Sequence, residues 1–475
     1  MMSDSKRWGN KLPFVFAVQL FCLLIMGIVE FLNMTEGCLL PINLHLLMNA
    51  GIMLSILGFW TITLWKSPRS ILRRDVILAL VMVLWFLVVE GNRRLNHNPL
   101  QSLTIFFAVY LIALPFASIT QDQERQAGIR LVSGIYIAAA LFLLSFGVIL
   151  FVNGAFSGEL SNRVYWDGAR LLIIHHPNII SRLFMIALAL CVGFLAQAKR
   201  IWIKLLMLLA AVFLFVAIAL TNTRAVVLVT CFILAGNVFF LFYNKKRKHI
   251  FLGAAAAMLA AVVLFMSSSW LFQWNTARLV SQSTMDASQE QTLMTERTDS
   301  DAADSIHEII LPEETPLAAD PNEKPEGNAN SYQESFLTDL PTLNGRADIW
   351  TSFFRKIRNN PAILLRGTVD TRLIWNNIHT HNAWLEALIM LGLPGLILVL
   401  FFTWEAAWAS LRLLWHAGTD LFRKNIALLT LATMVAALME PCLFITYTEW
   451  SFSDFFFFLC LGYLTLWSKQ IPRKK

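Results

Sequence analysis

Long apolar runs dominate this sequence. Hydrophobic residues make up 57% of its 475 residues and charged residues only 15%, whereas a soluble domain carries about 25% charged residues. Twelve segments are about 20 residues long, the length that crosses a bilayer as an α-helix. The sequence therefore predicts an all-α polytopic membrane protein with about twelve transmembrane helices. The segments lie near residues 12–32, 41–65, 75–90, 100–119, 130–152, 178–197, 201–220, 223–243, 250–270, 383–405, 425–446 and 451–468.

Lysine and arginine are distributed unevenly between the loops. With the N-terminus in the cytoplasm, the basic loops alternate with poorer ones through all twelve segments, as the positive-inside rule requires. Both termini are therefore predicted to be cytoplasmic, and the long segment 271–382 is an external loop. The exceptions are Arg93-Arg94, the loop around Arg163 and Arg170, and the large loop itself. This distribution attributes the net charge of +7 to topology and not to a nucleic-acid partner.

The topology divides the chain into three parts. Residues 1–270 carry helices one to nine, and the first is a retained helix because it is too long for a signal-peptide core. Residues 271–382 form the external loop, and residues 383–475 carry helices ten to twelve and a cytoplasmic tail. The six cysteines have no motif spacing and are mostly within apolar runs, which favours small core residues over disulfides or a metal site.

The external loop has two parts of different composition. Residues 281–334 contain thirteen acidic residues against two basic ones, a composition that predicts a flexible acidic segment. This segment is either a tolerated insertion, which we favour, or a device that guides charged glycans. Residues 344–382 are predicted to be ordered. In this part Trp350, Phe353, Phe354 and Ile357 recur at helical spacing, which predicts an amphipathic helix on the membrane surface.

That helix is predicted to end at Asn359-Asn360-Pro361. Arg355, Lys356 and Arg358 face away from its apolar side. Arg346 is four residues before Trp350 and shares the apolar face. An arginine directed toward the helix bundle needs an anionic partner.

Three ionisable residues are predicted to converge on the outer side of the membrane. Arg224 follows the short turn Thr221-Asn222-Thr223, and Arg346 and His381 belong to the external loop. Guanidinium groups bind phosphate bidentately, and a histidine can accept a proton from an attacking hydroxyl. Asn382 is predicted to cap the tenth membrane helix, whose N-terminus favours an anion.

Each candidate site residue could also have a purely structural role. Arg224 alone could extend to lipid phosphates, so the site rests on the three residues together. His379 and His381 are two residues apart with no Cys or Asp at ligand spacing, which disfavours a metal. His176, in His175-His176-Pro177-Asn178, either lines a substrate groove or belongs to a helix-entry turn. Arg170 either contacts sugar or phosphate or is a solvated loop charge.

At these positions the chain resembles the O-antigen ligase and polymerase family. The resemblance rests on three groups of residues in the region 170–400: Thr221-Asn222-Thr223-Arg224-Ala225; Asn344-Gly345-Arg346 with Trp350, Pro361 and Gly367; and His381-Asn382, Leu385-Glu386 and Leu391-Gly392-Leu393-Pro394-Gly395. The chain has Thr-Arg-Ala where Ser-Arg-Gly is frequent in the family. The resemblance implies a metal-independent membrane glycosyltransferase of the bacterial inner membrane that uses undecaprenyl pyrophosphate on the periplasmic side.

By the same resemblance, Arg224 and Arg346 hold the donor pyrophosphate and His381 activates the acceptor hydroxyl; His379, Asn382, His176 and Arg170 are further candidate substrate contacts. We expect a ligase that moves O-antigen polysaccharide onto lipid A-core, with membrane lipids as its surroundings, no cofactor and no nucleic acid. The alternative is a polymerase that joins lipid-linked repeat units. A lipid-linked glycan transporter is a third reading, disfavoured because no internal repeat is visible.

Overall fold

The computed structural model describes residues 129–131, 133–145, 148, 165–166, 170–171, 177–245, 250–301, 346–367, 382–416, 419–438, 460, 463–465, 467–468 and 471. The helices are α1 (Pro177–Gln197), α2 (Ile201–Leu220), α3 (Arg224–Lys245), α4 (Ile250–Asp301), α5 (Arg346–Asn359), α6 (Ala362–Arg366), α7 (Ala383–Trp415) and α8 (Leu421–Ala437). A shorter apolar helix lies within Ile129–Ser145. Two-residue strands β1 (Tyr165–Trp166) and β2 (Arg170–Leu171) pair antiparallel.

Four helices are long and apolar enough to cross a membrane. These are Ile180–Gln197, Ile201–Leu220, Arg224–Tyr243 and Ile250–Trp274, and they confirm the predicted segments 178–197, 201–220, 223–243 and 250–270 as apolar helices. The predicted segments 12–32, 41–65, 75–90 and 100–119 lie outside the described residues. Segments 130–152, 425–446 and 451–468 are described only in part.

Three boundaries differ from the sequence prediction. α4 continues to Asp301, so the first residues of the acidic segment 281–334 are helical; no glycine or proline interrupts the chain between Gly253 and Pro312. α7 continues to Trp415, ten residues beyond the predicted end at 405, because no helix breaker occurs before His416-Ala417-Gly418. Arg170, expected in an irregular loop, lies in strand β2 opposite Trp166.

Helix α8 is the centre of the described bundle. Thirteen of its seventeen residues are buried, and it packs against α1, α3 and α7. Two glycines allow the neighbouring backbones to approach it closely. A methyl group at Gly193 of α1 would lie 2.8 Å from the Nδ2 atom of Asn425, and one at Gly236 of α3 would lie 2.9 Å from Cδ2 of Leu428.

A buried amide ties three helices together. Asn425 of α8 is fully buried and donates from Nδ2 to the carbonyl of Ala189 in α1 at 2.6 Å. Its Oδ1 atom accepts from Nδ2 of Asn237 in α3 at 2.7 Å. A buried amide without these partners would cost free energy, so the two hydrogen bonds favour one axial register of α1, α3 and α8.

This register brings particular helix ends to the same level. Asn237 is thirteen residues after Arg224, and Asn425 is thirteen residues before Leu438, or about 20 Å in each case at 1.5 Å per residue. Ala189 is twelve residues after Pro177. The starts of α1 and α3 and the end of α8 therefore lie at one end of the bundle, which we call the Arg224 end.

The opposite end, which we call the Lys424 end, is rich in aromatic residues. The ammonium group of Lys424 lies 4.9 Å from the ring centroid of Phe240 and 5.2 Å from that of Tyr243. Trp415 contacts both rings edge-on. The guanidinium of Arg423 lies 5.0 Å from the ring of Trp467. These cation–π contacts hold the junction of α7 and α8 and the C-terminal residues to this end.

Replacing Asn425 tests the register. Asn425→Ala removes both interhelical hydrogen bonds and leaves the half-buried Asn237 amide with one partner fewer, so we expect a loss of about 1–3 kcal/mol in the free energy of unfolding. Thermal unfolding of the purified protein in detergent measures the change. Thr430→Val is the matched control, since its hydroxyl bonds only to the Ile426 carbonyl of its own helix. Equal stability of the two variants would contradict the role of Asn425 in fixing the axial register.

Candidate functional site at the Arg224 end

A tightly packed turn between α2 and α3 places Arg224 at the Arg224 end of the bundle. α2 ends at Leu220, and Thr221 caps it by donating from its backbone amide to the Ala217 carbonyl at 3.1 Å. The Thr221 hydroxyl donates to Ile218 O at 2.7 Å. Asn222 has a φ of 47°, a left-handed conformation that asparagine tolerates better than most residues. Thr221 and Thr223 are buried, so the turn predicted from the sequence is confirmed and has a defined conformation.

Two of the candidate arginines begin helices. Arg224 is the first residue of α3 and is half-buried, and Arg346 is the first residue of α5. A cation at a helix N-terminus is opposed by the helix dipole. These arginines therefore do not serve helix stability. Together with the N-termini of their helices they create positive potential, which favours an anionic ligand.

Helix α5 is anchored against the start of α7. The sequence-predicted helix and its end at Asn359 are confirmed. Phe353 and Ile357 are buried in a cluster with Leu388 and Ile389 of α7. Arg346 is seven residues before Phe353, or about 10 Å along the helix.

Phe354 is 53% exposed, because it lies a further 100° around the helix from Phe353. Arg355, Lys356 and Arg358 are exposed, as predicted.

Asn382 caps helix α7, as the sequence predicts. Its Oδ1 atom accepts hydrogen bonds from the amides of Trp384 and Leu385, both at 3.0 Å. Its Nδ2 group donates to the carbonyl of Leu438 at the end of α8, at 3.1 Å. The start of α7 therefore lies at the Arg224 end. This side chain already makes three hydrogen bonds, which favours a positioning role over direct substrate contact.

The candidate histidines are outside the described residues. This holds for His381, His379 and His176. His381 directly precedes Asn382, so its Cα atom is about 3.8 Å from that of the cap residue. The side chain of Arg170 in β2 is likewise not described.

Sequence reasoning missed Arg182. It lies on α1, five residues after Pro177, and is only 8% exposed. At 1.5 Å per residue it is about 8 Å below the start of α1 at the Arg224 end. The sequence itself indicated Arg182, because an arginine inside an apolar membrane segment is a functional candidate by default. Arg182 adds a buried cation to the same end of the bundle.

The described residues include no group of three His, Cys, Asp or Glu side chains that could hold a metal ion. Cys191, Cys231 and Cys460 are free and buried, which confirms these three as core residues. The cationic groups described at the Arg224 end are guanidinium groups and helix N-termini. Such groups bind a phosphate or pyrophosphate and stabilise negative charge on a departing phosphate oxygen.

Comparison with known proteins agrees with this chemistry. Residues 209–400 match the family model described as O-antigen ligase. The matched range includes the α2–α3 turn with Arg224, helix α5 with Arg346, and Asn382 with the first half of α7. Searches of the curated proteins and of the solved structures found no match. Residues 209–400 of this chain are therefore similar to the O-antigen ligase family.

Proposed function

We propose that this protein is an O-antigen ligase of the bacterial inner membrane. It transfers O-antigen polysaccharide from undecaprenyl pyrophosphate to lipid A-core on the periplasmic face. The observation that carries the proposal is the placement of arginines at helix N-termini, beside the capped start of α7. Two arginines begin helices α3 and α5, and the capped start of α7 follows His381 directly. The family description, O-antigen ligase, also favours this activity.

The proposed reaction is a single displacement at the anomeric carbon. The imidazole of His381 accepts the proton of the acceptor hydroxyl as the hydroxyl oxygen bonds to the anomeric carbon. The bond from that carbon to the pyrophosphate oxygen breaks. Arg224 and Arg346 stabilise the negative charge that develops on the departing undecaprenyl pyrophosphate. One displacement inverts the anomeric configuration, and no metal is required.

Loss of the histidine base is the first test. His381→Ala should reduce transfer at least about 100-fold, because general-base catalysis supplies roughly 10²–10⁴ in rate. The measurement is the rate of glycan transfer by purified protein, with binding of undecaprenyl pyrophosphate measured alongside. His416→Ala is the matched control, since His416 follows α7 at the opposite end of the bundle. Near-normal transfer by His381→Ala would exclude His381 as the base.

The second test separates a bidentate phosphate contact from a simple positive charge. Arg346→Lys keeps the charge but loses the planar fork of donors, so we expect transfer to fall at least about tenfold. Arg355→Lys is the control on the same helix, because Arg355 is exposed. Full activity of Arg346→Lys would indicate that Arg346 contacts only lipid phosphates or solvent.

A genetic experiment separates ligase from polymerase. Both activities use the same donor chemistry, so the acceptor decides between them. Deletion of the gene for a ligase removes all long-chain lipopolysaccharide bands while polymer accumulates on the undecaprenyl carrier, and the plasmid-borne gene restores the bands. Core capped by a single repeat unit would instead identify a polymerase. An unchanged banding pattern would contradict both.

A further inference from the structure

The short turn between α1 and α2 presents three cations at the Lys424 end. Lys199 and Arg200 lie in the turn, Lys204 lies in the first turn of α2, and all three side chains are exposed. None of the three forms an ion pair with another described residue. Residues 168–285 contain no Asp or Glu, so neither helix of this hairpin supplies a counter-ion.

Contacts with α8 hold this turn in place. Gln197, the last residue of α1, donates from Nε2 to Oδ1 of Asp420 at 3.3 Å, and the rings of Phe194 and Phe422 lie 5.7 Å apart. The Asp420 carboxylate also accepts from the amide of Arg423 and pairs with its guanidinium at 3.2 Å. This carboxylate is therefore used within α8 and by Gln197, and the turn keeps its positive charge.

An exposed apolar stripe of α2 begins beside these cations and ends partway along the helix. Its side chains recur at spacings of three and four residues on one face: Trp202, Leu205, Leu209 and Phe213. Every residue of α2 from 214 to 220 is buried or half-buried. The stripe is about 16 Å long, close to the roughly 15 Å hydrocarbon depth of one bilayer leaflet.

We propose that this surface binds an anionic phospholipid of the leaflet at the Lys424 end. The phosphate lies among Lys199, Arg200 and Lys204, because ammonium and guanidinium groups bind phosphate oxygens. The indole of Trp202 lies at the head-group level, where tryptophan is favoured, and the acyl chains follow the stripe. The topology predicted from the sequence puts this leaflet on the cytoplasmic side, where basic surfaces bind anionic head groups. The inference is independent of the proposed function.

The combination of charge and apolar surface selects a phospholipid over other occupants. A free phosphate contacts the cations but makes no use of the stripe. A second copy of the chain, related by a two-fold axis along the membrane normal, would bring its own three cations to the same level. Helix stability does not account for these cations either, because the N-terminus of α2 favours negative charge.

The test measures lipid binding to the purified full chain in a zwitterionic detergent. Thermal unfolding is followed against phosphatidylglycerol, against phosphatidylcholine with the same acyl chains, and against inorganic phosphate. Native mass spectrometry counts the lipids that stay bound and the copies of the chain. The test variant is Lys199→Gln/Arg200→Gln/Lys204→Gln, and its matched control, Lys199→Arg/Arg200→Lys/Lys204→Arg, retains the charge.

Phosphatidylglycerol should raise the unfolding temperature of the wild-type chain, because a ligand that binds the folded state stabilises it. The triple glutamine variant should bind this lipid at least about tenfold more weakly, since each basic side chain near a membrane surface contributes roughly fivefold. The charge-retaining variant should stay within about threefold of the wild type. Equal stabilisation by phosphatidylcholine or by phosphate would overturn the proposal, as would a lipid-free dimer.

A triple variant of α5 controls for net charge. Arg355→Gln/Lys356→Gln/Arg358→Gln removes three exposed cations from a different helix, and it should leave the Kd of phosphatidylglycerol within about threefold. If both triple glutamine variants weaken binding alike, the affinity follows net charge and the site at the α1–α2 turn is excluded.

A double variant keeps the test decisive if the triple variant of the turn does not fold. Lys199→Gln/Lys204→Gln retains Arg200, the residue that directly precedes α2. Its Kd for phosphatidylglycerol should rise at least about fivefold. An unchanged Kd in this variant would overturn the proposal.

Discussion

The arrangement of this bundle depends on the buried amide of Asn425. Its hydrogen bonds to Ala189 and Asn237 fix the axial register of α1, α3 and α8. Because an unpaired amide among apolar helices is costly, the register cannot slide without loss of stability. The same register aligns the start of α3 with the end of α8, about 20 Å away from the amide. Leu438 at that end then accepts the hydrogen bond from Asn382.

Arginines lie at or near the N-termini of three helices. Arg224 and Arg346 stand at helix N-termini, and Arg182 is buried within α1. A helix N-terminus favours an anion. On our proposal, these groups favour the negatively charged pyrophosphate of the donor.

The described helices fall into two groups. Arg224 and Arg182 belong to the bundle formed around α8, while α5, α6 and the cap residue Asn382 are organised by the first ten residues of α7. Gly392 interrupts the helical backbone of α7, which packs on α8.

Much of this protein follows from its sequence. Apolar runs of membrane-spanning length predicted four helices that the structure confirms, and helical spacing with Asn359-Asn360-Pro361 predicted α5 and its end. Local hydrogen-bonding chemistry predicted the cap at Asn382. These features depend on residues close in sequence. Local patterns did less well where nothing marked a helix boundary, as at Asp301 and Trp415.

The tertiary structure alone decided which ends meet. Asn425 pairs with residues 188 and 236 positions away, and Gly392 touches the backbone of Leu365 and Gly367 across an intervening segment. Such contacts leave no periodic signal, because they depend on how packed helices approach one another and not on the spacing within one helix. The sequence determined what each segment is, and the packing of helices around α8 determined which helix ends meet.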